Sequence, residues 1–209
     1  MLWNKEGKEE YPYPSTNFTI KDTDEGVDML IREATVADAE GIAIVHVDSW
    51  RTTYKNIIPN DFLAKPSYHK RKASWIENIS NEGNHVYVAE NGDGRIVGFI
   101  NGGKRAKNPV ADSGDLTAIY IVEEFQGMGI GKKLLKQLFL KLEELGFHSI
   151  LVEVLDGNKS RFFYEAFGAK VIKSEPIKIA GEALTLLVYE WKDTALVLDA
   201  KNVRESGGN

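Results

Sequence analysis

The chain contains no cysteine, and this absence removes several kinds of chemistry at once. Without a thiol there is no disulfide framework, no thiolate metal ligand and no cysteine nucleophile. Histidine is also scarce, and the four that are present lack the spacing of metal ligands: His46, His69, His85 and His148. We therefore expect no bound metal, and any catalysis must use oxygen and nitrogen groups.

A strong excess of charge and a long apolar run are also missing. The sequence has 26 basic and 31 acidic side chains, a formal net charge of −5, which gives no general attraction to nucleic acid or anionic lipid. No apolar stretch approaches the ~20 residues of a membrane span. The charged N-terminus lacks the apolar core of a signal peptide. The sequence therefore predicts a cytoplasmic protein that binds neither nucleic acid nor membrane.

Regular apolar patterning is confined to the middle of the chain, and 209 residues suffice for one domain with a buried core. Residues 1–26 are polar and contain two Tyr-Pro pairs, and residues 193–209 end in Ser-Gly-Gly-Asn. Segments this polar bury too little apolar surface to form a core. We expect an N-terminal arm at 1–26, a single domain at 27–192 and a C-terminal tail at 193–209.

The most informative feature that is present is the junction Ile119–Glu144, where an apolar run leads through alternating glycines into an amphipathic helix. Gly127, Gly129 and Gly131 leave the backbone unshielded, so that successive N–H groups can converge on phosphate oxygens. The positive end of the helix dipole favours the same negative charge. The pattern predicts a loop that binds a phosphate-bearing ligand.

Three nucleotide-binding patterns compete for this loop. A Walker loop requires a glycine five residues before Gly131 and a Ser or Thr after the lysine, but Gln126 and Lys133 occupy those positions. The dinucleotide fingerprint Gly-x-Gly-x-x-Gly does not match Gly-x-Gly-x-Gly in mid-chain. The third pattern, Gln-x-x-Gly-x-Gly, is filled by Gln126, Gly129 and Gly131. It resembles the acyl-CoA loop of the GNAT superfamily of N-acyltransferases.

The resemblance extends beyond the loop and covers about residues 27–192. The segment from Asn158 to Gly168 is similar to the family's following motif, an asparagine, a short helix with a tyrosine, and an aromatic-glycine pair. The stretch from Ile31 to Ala43 resembles the family's first strand and helix. The resemblance implies a single GNAT-like α/β (α+β mixed) domain, in which a mixed, mostly antiparallel sheet of about seven strands is flanked by helices.

The apolar periodicity is compatible with that architecture. A strand over residues 27–33 precedes a helix that Thr35 and Asp38 begin in a capping-box pattern. A helical region over about residues 62–79 is interrupted near Pro66. The helix after the glycine loop is predicted to bury one stripe of side chains: Ile130, Leu134, Leu135, Leu138, Leu142 and Leu145.

By the same resemblance, the cosubstrate is acetyl-CoA. Its pantetheine arm would pair with the backbone of the strand before the loop, whose side chains belong to the core, and its pyrophosphate would meet the loop amides. The implied residues are Ile119, Ile121, Val122, Gln126, Gly127, Met128, Gly129, Ile130, Gly131, Lys132 and Asn158. Lys132 would add charge, although a solvated helix-face lysine fits equally. Asn158 is either a helix cap alone or a cap that also touches CoA.

Acyl transfer from a thioester to an amine needs a base for the ammonium group and an acid for the departing thiolate. Tyr164 matches the family position of the acid, and a phenol pKa of about 10 suits a thiol; the alternative is a packing tyrosine among aromatics. Asp115 is the implied base, and the alternative is a surface carboxylate at a strand entrance. Glu153, on the neighbouring strand, is a second candidate base. Tyr120 could line the exposed face of the strand that begins at Asp115.

Acceptor contacts are expected from the segment after the first helix, where Trp50, Arg51 and Tyr54 concentrate aromatic and hydrogen-bonding groups. The ordinary alternative is that Trp50 packs the helix corner and Arg51 pairs with an acid such as Asp48. Both interpretations fit the sequence.

The residues and the resemblance together predict an N-acetyltransferase. It would move an acetyl group from acetyl-CoA to a primary amine of a small molecule by direct attack in a ternary complex. One alternative is a protein or peptide amino-group acetyltransferase, which requires an open groove. Another is a non-catalytic CoA-binding regulatory module, because a fold does not guarantee activity. The resemblance is also compatible with a homodimer.

Overall fold

The computed structural model describes residues 29–104, 110 and 112–198. The predicted N-terminal arm, residues 1–26, lies outside the described residues, and so do residues 199–209 of the predicted tail. The first strand, predicted from residue 27, is described from Met29.

One mixed sheet of 7 strands carries the fold, in the order β1-β2-β3-β4-β5-β7-β6. Neighbouring strands are antiparallel except β4 and β5, which are parallel. The predicted mixed, mostly antiparallel sheet is therefore confirmed. The strands are β1 Met29–Glu33, β2 Asn84–Asn91, β3 Ile96–Lys104, β4 Ser113–Ile121, β5 Ser149–Leu155, β6 Lys170–Ile179 and β7 Glu182–Trp191.

Helices cover both faces of this sheet. Pro66 lies between the second and third helices, in agreement with the predicted interruption, because proline cannot continue a helix. Short 3-10 turns occupy Val36–Asp38 and Glu123–Phe125. The helices are α1 Ala39–Thr53, α2 Asn60–Leu63, α3 Tyr68–Ile79, α4 Ile130–Glu144, α5 Ser160–Ala166 and α6 Ala195–Leu198.

The start of α1 is fixed to the sheet by side chains. Asp38 accepts hydrogen bonds from the Thr35 N–H and from Arg32 Nη1, each at 2.7 Å. Arg32 also donates to Glu90 of β2 at 2.6 Å. Burial acts to raise the pKa of the Asp38 carboxyl, but the hydrogen bonds from Arg32 and Thr35 outweigh it and hold that pKa below its usual value. These hydrogen bonds fix the start of α1 to β1 and β2.

The core is divided by the sheet into two layers. Leu134, Leu138 and Leu142 of α4 pack on one face, and Ile42 of α1 and Trp75 of α3 pack on the other. Five members of the predicted α4 stripe are buried, but Leu145 is 48% exposed. The prediction for Leu145 was wrong because α4 ends at Glu144, and Leu145 leaves the helical path with φ −80° and ψ 0°.

The folded core extends past the predicted domain boundary at residue 192. α6 follows β7 directly, and Val197 is buried in the same cluster as the α4 leucines. The predicted tail of 193–209 therefore begins with a segment that packs against the core. All four residues of this short segment, Ala195–Leu198, are apolar, and so short a run could not show a period in the sequence.

Candidate active site

Strands β4 and β5 run parallel but separate along their length. Their register pairs Ser113 with Ser149 and ends with Leu116 opposite Val152. β4 continues to Ile121, where it remains paired with β3. The outer half of β4 therefore has one edge bonded to β3, and its other edge faces a gap between the two parallel strands.

A bulge in β4 accompanies this separation. Asn101 pairs with Ala118 and Gly102 with Leu116, so Thr117 is an extra residue opposite β3. A Cβ atom on Gly102 would lie 2.3 Å from the carbonyl oxygen of Asp115, so the close approach requires glycine. Bulges bend a strand and increase its twist, which explains why the outer half of β4 diverges from β5.

The gap is a narrow cleft of about 40 Å³. Ile119 and Ile121 pack against the α4 core, and Val122 packs against the core beneath α1, so this strand offers the cleft mainly its backbone. The residues that line the cleft are Tyr54, Thr117, Ala118, Ile119, Tyr120, Val152, Glu153, Val154, Asn158, Ser160 and Tyr164.

The glycine loop connects β4 to α4. Gln126 Nε2 donates a hydrogen bond to the carbonyl oxygen of Ile121 at 3.0 Å, which fixes the loop to the end of the strand. Gly127 and Gly129 have φ values of 78° and 75°, in the left-handed region that favours glycine. Gly129 is the N-cap of α4, and its carbonyl accepts the N–H of Lys133 at 3.2 Å. The amides that precede this bond have no acceptor within the helix, which is the usual basis of an anion site.

The third glycine has a different role from the first two. Cβ atoms at Gly127 and Gly129 would meet nothing within 4 Å, but one at Gly131 would lie 3.2 Å from the Phe163 ring and 3.3 Å from Ile121. Gly131 therefore permits close packing of α4 against α5 and β4. Of the loop's apolar side chains, Ile130 is buried and Met128 is exposed.

Tyr164 lies on α5 at the inner end of the cleft and is only 6% exposed. Its ring packs edge-on against Trp191 at 5.7 Å. Burial, and secondarily the neighbouring Tyr54, raise the pKa of the phenol well above its usual value. The ring of Tyr164 is part of the core and also lines the cleft, so its packing role is confirmed and its role as an acid stays a prediction. The pKa match with a thiol that the sequence suggested does not hold in the folded protein.

Asn158 joins the cleft to α1. Its Oδ1 accepts the N–H of Ser160 at 2.9 Å, so the predicted cap of the short helix is confirmed. Its Nδ2 donates to the Tyr54 hydroxyl at 3.4 Å. Burial and a hydrogen bond with Tyr54 raise the pKa of Tyr120 well above its usual value. Tyr54 is therefore the central hydroxyl of a polar group that includes Asn158 and Tyr120.

A larger cavity of about 430 Å³ adjoins the cleft. Asp115, which is 5% exposed, and Glu153, which is exposed, both line it. Thr117 Oγ1 donates to Asp115 Oδ2 at 3.2 Å. Glu153, Tyr54 and Thr117 line the cavity and the cleft alike, so the two spaces meet at these side chains.

Two of the three predicted acceptor contacts reach this cavity. Trp50 and Tyr54 line it, with their rings 4.4 Å apart. Arg51 does not line it, because its guanidinium donates to the Tyr68 hydroxyl at 3.2 Å and to the Pro66 carbonyl at 3.3 Å. Tyr68 in turn donates to Asp48, so the predicted substrate role of Arg51 is replaced by a structural one that fixes α1 to α3.

The sequence did not single out several lining residues of the cavity. Thr117 is hidden because a bulge cannot be seen without the strand pairing. Three residues of the apolar wall come from alternate positions of the β6 and β7 hairpin, where a period-two pattern was the available signal, and the other two come from the segment before α2 and from the end of β5. The wall residues are Ile58, Leu155, Ile177, Ile179 and Leu186.

Within residues 29–104, 110 and 112–198, no cluster of His, Asp and Glu side chains has the arrangement of a metal site. No helix in the same described part of the chain is long and apolar enough to cross a bilayer.

A mixed sheet that opens between β4 and β5, with a glycine loop at the adjacent start of α4, is compatible with the acyl-CoA site that the resemblance implied. Residues 47–169 match the Acetyltransferase (GNAT) family. The chain is 37% identical over 163 residues to the uncharacterized N-acetyltransferase YuaI of Bacillus subtilis. The matched residues are 78% of this chain and 92% of that protein. The chain therefore belongs to the GNAT family and is an N-acetyltransferase.

Two further comparisons agree with this assignment. A ribosomal protein bS18 alanine N-acetyltransferase of Haemophilus influenzae is 41% identical over 74 residues, which are 35% of this chain and 47% of that protein. The fold matches the PaiA N-acetyltransferase of Thermoplasma acidophilum in complex with coenzyme A, with a TM-score of 0.62 at 24% identity. That match covers 78% of this chain and 97% of the other.

Proposed function

We propose that the protein transfers an acetyl group from acetyl-CoA to a primary amine of a small molecule by direct attack in a ternary complex. The observation that carries the proposal is the junction of the two spaces. A narrow cleft beside an open strand edge meets a wider cavity that contains two carboxylates, Asp115 and Glu153. One space suits a thin cofactor arm and the other suits a cationic acceptor.

Backbone groups support the proposed position of the cosubstrate. The pantetheine arm pairs with the open edge of β4 at Ile119–Ile121, and the pyrophosphate lies on the amides between Gln126 and Lys132. The positive end of α4 adds favourable potential at the same point. Asn158, which caps α5 and lines the cleft, lies along the course of the arm.

The acceptor arrives as an ammonium ion and must lose a proton before it attacks. Glu153 takes that proton and passes it to water, because it is exposed and lies where both spaces meet. The buried Asp115 attracts the ammonium group; its role as base, expected from the sequence, stays the alternative. The neutral nitrogen then attacks the thioester carbonyl carbon and forms the C–N bond.

Collapse of the tetrahedral intermediate breaks the C–S bond. Tyr164 gives its proton to the departing thiolate and regains one from the nitrogen, which carries a second proton at that stage. The products are the N-acetylated amine, free CoA thiol and one proton released to water. Because burial raises the pKa of Tyr164, a lasting phenolate is unfavourable, and the two proton transfers must be nearly simultaneous.

A peptide or protein amino group is the second candidate acceptor. The bS18 alanine N-acetyltransferase relative acts on a ribosomal protein by its name. We favour a small molecule because Trp50 and Tyr54 form one wall of the cavity and the β6 and β7 hairpin forms another. The cytoplasmic location and the homodimer stay predictions.

The test is a thiol-release assay with acetyl-CoA and a panel of small amines and peptides, with the acetylated product identified by mass. We expect CoA release that depends on a small primary amine. Turnover of peptides alone would replace the small acceptor with a protein one. If CoA binds but no amine in the panel promotes release, the non-catalytic alternative would be favoured.

A further inference from the structure

A small apolar cluster that belongs to neither sheet core forms part of the wall of the acceptor cavity. Its buried members are Ile58, Leu63 and Leu155. Ile177 and Leu186 of the β6 and β7 hairpin pack against them. These residues come from three distant parts of the chain, and several of them face the cavity as well as one another.

Charge and apolar surface occupy opposite ends of the cavity. Glu153 and Leu155 lie two positions apart on β5 and therefore point to the same side of the sheet, about 7 Å from each other. Leu155 is paired with Leu186 of β7, and Leu184 with Ile177 of β6, so the apolar surface continues away from the carboxylate. A ligand whose ammonium group lies at Glu153 therefore contacts apolar side chains about 7 Å away, at Leu155.

Among the residues that the structure describes, the cavity lining offers a second cation at that far end no carboxylate beyond Asp115 and Glu153. Glu175, opposite Leu186 in the register, forms an ion pair with Lys173 and does not line the cavity. A charged tail would lose its hydration against Ile58 and Leu155 without gaining a partner.

We infer that the acceptor is a monoamine whose ammonium group is followed by an apolar body, with the amine at Asp115 and Glu153 and the body against Ile58, Leu155, Ile177 and Leu186. This inference rests on the proposed N-acetyltransfer and narrows its substrate class. Polyamines and amino alcohols are poor acceptors, because their second polar group would lose its hydration against these apolar side chains. The cavity volume of about 430 Å³ accommodates an alkyl or aryl group of modest size.

The substrate test uses a pair of equal length, n-pentylamine and 1,4-diaminobutane, which differ at the far end by a methyl against an ammonium group. We expect kcat/KM to be about tenfold or more higher for pentylamine. Equal values, or a preference for the diamine, would overturn the apolar-body inference and leave the N-acetyltransfer proposal standing. Absence of CoA release with every amine, or turnover of peptides only, would overturn both.

The protein test uses two isoleucines of the same strand. Ile177→Ser removes apolar surface from the cavity, and Ile172→Ser is the control, because Ile172 is 41% exposed and does not line the cavity. We expect Ile177→Ser to raise KM for pentylamine about tenfold, with KM for acetyl-CoA unchanged, and Ile172→Ser to change neither. Because Ile177 is itself partly exposed, both variants should fold, and their melting temperatures are compared. Equal KM values for pentylamine in both variants would overturn the inference.

Discussion

Tyr164 combines packing and chemistry in one side chain, and a single substitution separates them. Tyr164→Phe keeps the ring against Trp191 and removes the proton that we assign to the thiolate. We expect the single-turnover rate with a verified amine to fall about 100-fold, while CoA affinity and melting temperature change little. Tyr87→Phe is the control, because burial raises the pKa of that phenol also, to about 12, outside the site. An unchanged chemical rate in Tyr164→Phe would assign the residue to packing alone.

His46 is a second side chain whose burial has a measurable consequence. Trp75 Nε1 donates to His46 Nδ1 at 3.2 Å, and the His46 ring stacks on Tyr120 at 5.1 Å. Burial, helped by the charge of Arg71, lowers the pKa of His46 to about 3. In the unfolded chain the same group titrates near about 6.5. Below that pH the unfolded state binds a proton at His46 that the folded state does not bind.

Folding stability should therefore decrease as the pH falls from about 6.5 towards about 3, by about 1.4 kcal/mol per pH unit from this group. His46→Gln keeps an acceptor for the Trp75 N–H and removes the titration. Urea unfolding at pH 7 and pH 5 should show a smaller loss of stability in the variant than in the parent protein. His85, whose pKa is also lowered by burial, contributes equally to both. Identical losses would show that His46 is accessible to protons in the folded state.

At the scale of elements, contiguous motifs were predictable, and pairings between distant segments were not. The sequence predicted the glycine loop because Gln126, Gly129 and Gly131 lie within one short segment. The bulge at Thr117 and the separation of β4 from β5 arise from pairings with β3, including the close approach of Gly102 to Asp115. Such contacts join residues distant in the chain, and a local apolar period carries no information about them.

The glycine loop offers a prediction with a control on the same helix. Gly129 and Gly146 flank α4 and have φ values of 75° and 84°. A Cβ atom added at either position would have no neighbouring atom within 4 Å. Alanine at either position costs about 1–2 kcal/mol of backbone strain. We expect Gly129→Ala, but not Gly146→Ala, also to lower the affinity for CoA about tenfold, because the added methyl group would occupy the proposed position of the pyrophosphate. Calorimetry that shows equal CoA affinity in both variants would mean that the phosphates bind elsewhere.

At the scale of the whole molecule, the cofactor and acceptor sites differ in how they are assembled. The loop that we assign to CoA is one segment, residues 126–132. The acceptor cavity is built from the end of α1, from β5 and from the β6 and β7 hairpin, which contribute Trp50, Glu153 and Ile177. Arg51 was predicted in this site because its neighbours Trp50 and Tyr54 belong there, yet its helical direction takes it to Tyr68 instead. Tertiary arrangement, which the sequence did not reveal, decides which side chains of a short segment face a cavity.

Because the proposed CoA site draws on β4, α4 and α5 together, ligand binding should stabilise the fold as a unit. At a CoA concentration of 100 times Kd, linkage adds about 2.7 kcal/mol, which corresponds to roughly 5–11 °C in melting temperature for a chain of this size. We expect such a shift with acetyl-CoA or CoA at submillimolar concentration, and none with NAD or ATP at the same concentration. The loop lacks the Walker Ser/Thr and the dinucleotide spacing that those ligands require. The Gly129→Ala variant, whose CoA affinity is expected to fall about tenfold, should show about half of this CoA shift at the same ligand concentration. A shift in melting temperature with NAD equal to that with CoA would contradict the assignment of the loop.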